Sequence, residues 1–60
     1  MMVPLPKDPV LLLSVVNTKL RDYYKSLSHL CDDMNVEMHA ITSTLEAIDY
    51  VYDEKRNQFV

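Results

Sequence analysis

Sixty residues that are 48% hydrophobic, with a net charge of −3 and a pI near 5.0, make at most one domain, and the acidic balance is the wrong sign for a domain that lives on phosphate backbones. No stretch approaches the roughly 18 apolar residues of a membrane span, and the single cysteine, Cys31, excludes a disulfide framework and points to a reducing compartment, the cytoplasm. A chain this short buries only about 60% of its unfolded surface, so stabilisation from outside one core is expected, and a second copy of the chain is the form the composition suits.

Residues 1–8 read as an extended arm. Pro4 and Pro6 each push the preceding residue out of the helical region. The arm carries its charges after its apolar residues, the reverse of a signal peptide. Val3 and Leu5 are placed to lie on the body as an apolar strap. A first helix is expected over residues 9–25, with Asp8 as N-cap and Pro9 at the first helical position, where a missing N–H costs nothing. Leu13, Val16, Leu20 and Tyr24 form a stripe at spacing three and four, widened by Leu12, Val15 and Tyr23. Val10 and Leu11 make its first turns apolar almost all round, more than one buried face requires.

Ser26 is a cap for a second helix over residues 27–34, whose apolar face is Leu27, Leu30, Cys31 and Met34. Asn35 suits a left-handed C-terminal position, with Val36 packing back after it. A third helix follows over residues 37–48, with Met38, Ile41, Leu45 and Ile48 on one face. The period then changes. Tyr50–Asp53 and Gln58–Val60 read as two short strands of a hairpin over residues 50–60, with Asn57 left-handed in the loop and Tyr52 opposite Phe59. Because glycine is absent, Asn35 and Asn57 are the residues expected at positive φ.

Cys31, Asn35 and Ile41 meet the spacing of a helix-turn-helix: a small residue for close helix approach, a turn residue four later, and an aliphatic knob six after that. The expected fold is therefore mainly α, three helices and a C-terminal β-hairpin in a single domain, resembling a reduced winged helix. A three-helix bundle with a different crossing is the alternative.

The function classes separate on residue chemistry. A recognition helix reads bases with Arg, Lys, Asn or Gln near its N-terminus. Here the exposed positions, His39, Thr42 and Ser43 among them, include acids and no base. Lys55 and Arg56 at the hairpin tip are the best candidates for nucleic-acid contact, although Asp53 and Glu54 offset their field. DNA binding by these five residues is thus the alternative reading, with a scaffold or protein interface as the main one. No metal, cofactor or catalytic residue is expected. His29 and Cys31 point about 200° apart on one helix, Cys31 has no base beside it, and without glycine there is no phosphate-cradling loop. The leading expectation is a non-enzymatic interaction or regulatory module acting as a homodimer through Val10, Leu11, Leu12 and Val15. Its rival is a monomer in which Val3 and Leu5 cover that patch.

Both ends of the chain resemble one family. Leu5-Pro6-Lys7-Asp8-Pro9 with Leu12 to Asp22, and the tail Tyr52-Asp53-Glu54-Lys55-Arg56-Asn57-Gln58-Phe59, are similar to short bacterial proteins of unknown function that end in Tyr-Asp-x-x-x-Asn-Gln-Phe. Two positions depart from the pattern: an acid is usual where His29 stands, and a glycine where Asp49 stands. The resemblance implies a stand-alone bacterial protein with no known activity, cofactor or catalytic residue.

Overall fold

The computed structural model describes residues 5–60, so Val3 lies outside the described residues. Three helices, α1 (Pro9–Asp22), α2 (Leu27–Met34) and α3 (Met38–Glu46), precede an antiparallel hairpin of β1 (Tyr52–Asp53) and β2 (Gln58–Phe59). The architecture is the expected one: three helices and a C-terminal hairpin in one small domain.

Local chemistry starts and stops each element. The Asp8 carboxylate accepts the N–H groups of Val10 and Leu11 at 2.8 and 3.3 Å, and Pro9 occupies the next position. α1 ends at Asp22, three residues short of the expected Lys25, because the Lys19 carbonyl accepts both Tyr23 N–H (2.8 Å) and Tyr24 N–H (3.0 Å) and closes the last turn. Ser26 Oγ accepts His29 N–H at 3.1 Å and caps α2. Asn35 is left-handed at φ 55°, Val36 N–H returns to the Cys31 carbonyl at 3.1 Å, and the Val36 side chain packs on the core. α3 starts one residue later than expected, since Glu37 supplies no side-chain cap.

The end of α3 holds a third left-handed residue. Asp49 has φ 65°. Tyr50 N–H bonds Leu45 O and Asp49 N–H bonds Glu46 O, both at 3.0 Å, the paired closure of a Schellman motif. Tyr50 therefore belongs to the helix stop and not to a strand, and β1 begins at Tyr52. The ladder pairs Tyr52 with Phe59 and Asp53 with Gln58, and Val51 and Val60 exchange two further bonds of 3.0 and 2.9 Å. Asp53 Oδ1 accepts Lys55 N–H and Arg56 N–H in the loop, and Asn57 closes it at φ 53°.

The core takes Leu12, Val16 and Leu20 from α1, Leu27, Leu30, Cys31 and Met34 from α2, Ile41 and Leu45 from α3, and Phe59 from β2. The three α1 residues follow one another at four, so the buried stripe begins at Leu12. Leu13 and Tyr24, expected at its centre, flank it and are half-buried. Cys31 and Ile41 are buried on either side of left-handed Asn35.

Candidate functional site

The tail motif is a set of fastenings. The Asn17 side-chain amide meets the Phe59 main chain twice: Phe59 N–H donates to Asn17 Oδ1 at 2.8 Å, and Asn17 Nδ2 donates to Phe59 O at 3.1 Å. Asn57 Nδ2 donates to Leu20 O (3.0 Å) and Tyr24 O (2.9 Å), carbonyls left over where α1 stops. The Tyr52 hydroxyl donates to Asn57 Oδ1 at 2.6 Å and accepts Leu27 N–H at 3.2 Å, tying β1 to the start of α2. Gln58 Nε2 reaches Asn17 O and Asn57 O. The Tyr52 and Phe59 rings lie 5.5 Å apart, as their cross-strand placement predicts. The side-chain amides of Asn17 and Asn57 and the Tyr52 hydroxyl are all met by other parts of the chain, so their chemistry is that of holding the hairpin on α1. The spacing of residues along the chain does not predict the clasp. Its one local signal is Asn17, a polar residue directly after buried Val16 on an apolar helix.

Among the described residues, the outer face of α1 has no such partners. Val10 is 65% exposed and Leu11 58%, while Val15 is half-buried. Leu12, expected beside them at an interface, is 3% exposed and belongs to the core. At about 100° per residue, Leu11 and Val15 sit roughly 40° apart on the helix surface, with Val10 about 100° to one side. Leu5 packs against the core yet leaves Val10 and Leu11 open.

The residues considered for nucleic acid are divided between two elements. His39 and Ser43 are exposed on α3, and the Thr42 hydroxyl donates back to His39 O at 3.3 Å. Lys55 and Arg56 are exposed on the hairpin loop, their N–H groups held by Asp53, whose other oxygen lies 3.8 Å from Arg56 Nε. No Lys or Arg occurs in α3.

Cys31 is a free, buried thiol. Burial, and to a lesser degree Asp32, push it above the ordinary thiol range, so it stays protonated and poorly nucleophilic. Among the described residues no three His, Cys, Asp or Glu side chains form a group able to hold a metal. The Tyr24 hydroxyl donates to Asp33 Oδ2 at 2.6 Å, a bond that raises the tyrosine above its usual range, and the Tyr24 ring meets His29 edge-on at 5.6 Å. Spacing along the chain gave no sign of this group, because Tyr24 lies beyond the end of α1. No helix among the described residues is long and apolar enough to cross a membrane.

The segment from Asp8 to Phe59, from the first cap to the last residue of the clasp, falls within one family match. Residues 6–59 fit the model of a domain of unknown function, DUF4250, in agreement with the resemblance carried by the two ends. No curated protein and no solved structure matches the chain. The chain belongs to the DUF4250 family.

Proposed function

We propose that this chain is a non-enzymatic protein-interaction module that forms a homodimer through the outer face of α1. The observation that carries this is the exposure of Val10 and Leu11, 65% and 58%, in successive positions of the first turn. The half-buried Val15 extends the patch one turn further. Apolar side chains placed together in water mark surfaces that another molecule covers. A second copy across a two-fold axis covers the patch with the same patch. It also adds burial to a chain too short to build a large core alone. The free buried Cys31 fits a reducing setting such as the cytoplasm.

Sedimentation of the full chain at micromolar concentration tests the reading. The expected species has twice the 7.0 kDa chain mass. A species of 7.0 kDa at all concentrations overturns it. Leu11→Lys is expected to give the monomer with its helical signal retained, since Leu11 is 58% exposed in the single chain.

A further inference from the structure

The two edges of the hairpin differ. In an antiparallel ladder, pairs that exchange two hydrogen bonds alternate with pairs that exchange none. Val51 and Val60 exchange both bonds, so the Tyr52–Phe59 pair directs its main-chain groups outward, away from the ladder. On the β2 side the outward N–H and C=O of Phe59 are met by the Asn17 amide, which imitates a third strand. On the β1 side, no described residue bonds the Tyr52 N–H or C=O. A cleft of about 290 Å³ is bordered by Tyr52 and lined by Leu27, Met38, Lys25 and Glu54. Met38 is 40% exposed, whereas Leu27 is 2% exposed. Among the described residues neither Lys25 nor Glu54 is in an ion pair.

We propose that the open edge of β1 takes an extended peptide segment of a partner protein as an added strand, with one aliphatic side chain of that segment seated in the cleft against Met38. Main-chain bonds to a sheet edge supply affinity in such docking, and a pocket for an alternate side chain supplies specificity. The unpaired Lys25 and Glu54 select a segment with an acid and a base flanking its aliphatic residue. The site is separate from the outer face of α1, so the two surfaces stand or fall independently.

The test is amide-resolved NMR of the isotope-labelled full chain, titrated with the blocked pentapeptides Glu-Thr-Leu-Thr-Lys and Lys-Thr-Leu-Thr-Glu. One of the two is expected to move the Tyr52 amide resonance and the Met38 methyl, and to slow Tyr52 amide exchange severalfold. The Phe59 amide, already bonded to Asn17, is expected to be protected without peptide and to stay so. Met38→Lys, at an exposed position that spares the fold, is expected to abolish the response, and Leu11→Lys to leave it intact. No response at Tyr52 with either peptide at millimolar concentration overturns the proposal. So does a response centred on Val10 to Val15. Tyr52 protection that grows with protein concentration in the absence of peptide also overturns it, because the edge is then covered by a second copy.

Discussion

α1 has two sides that contrast sharply. Toward the hairpin, Asn17 and the carbonyls of Leu20 and Tyr24 are each bonded to Asn57, Gln58 or Phe59. On the far side, Val10 and Leu11 stand in solvent. The first side accounts for its residues by what they hold in place: remove one and a polar group nearby loses its partner. The second side has residues whose type no contact among the described residues explains. The lesson concerns where to look for function. The tail motif is the more eye-catching pattern in the chain, yet it serves the fold, and the plainer apolar turn at the start of α1 is the part the fold leaves exposed.

Substitutions on the two sides of α1 sharpen this contrast. The largest effect is expected at Asn57. Asn57→Ala puts an alanine at φ 53° and removes the bonds to Leu20 O, Tyr24 O and the Tyr52 hydroxyl, a loss of about 2–4 kcal/mol in urea unfolding. Asn57→Gly restores the backbone and not the bonds, so it recovers only part of that loss. Equal stability of Asn57→Gly and the native chain would show that the clasp contributes nothing. Asn17→Ala comes next, at roughly 1–3 kcal/mol, because it leaves the partly buried N–H and C=O of Phe59 without their partner. Proteolysis or exchange at Phe59 should rise with it.

Asp49→Gly is expected to act in the opposite direction. A non-glycine residue at φ 65° carries a steric cost that glycine lacks, so the variant should gain up to about 1 kcal/mol. A loss in thermal melting would mean that the Asp49 side chain contributes more than its backbone costs. The mildest test is pH. Burial raises the Cys31 thiol in the folded chain, so the stability linked to it is fully present below the ordinary thiol range and is lost as pH rises through the elevated value. Cys31→Ala should flatten that alkaline decline, and an unchanged decline would assign it to another group.

Much of the fold is legible in the sequence because its punctuation is local. Asp8, Ser26, Asn35 and Asn57 each act within a few residues, through a side-chain oxygen or a tolerated positive φ. Asp49 escaped because an aspartate is an uncommon left-handed stop, a position that glycine fills without steric cost. The rotation of α1 escaped for a different reason. Val10 to Leu13 are all apolar, so the helix can be turned to bury Leu12 or Leu13 with little to choose from composition alone. The bond that settles its rotation joins Asn17 to Phe59, 42 residues away, and no window along the chain contains both. Of the surface residues expected at an interface, Val10 and Leu11 stand out in solvent because the first turn has more apolar residues than one face holds; Leu12 left that group when the rotation changed.

The central claim is that the exposed turn of α1 is covered by a second copy. Its most direct measurement is the melting temperature of the native chain and of Leu11→Lys over a hundredfold range of protein concentration. Association that accompanies folding makes the melting temperature rise with concentration. The account predicts such a rise for the native chain and a flat, lower line for Leu11→Lys. A native melting temperature that does not change across the range, equal to that of the variant within the roughly 0.5 kcal/mol expected of a surface substitution, would contradict it.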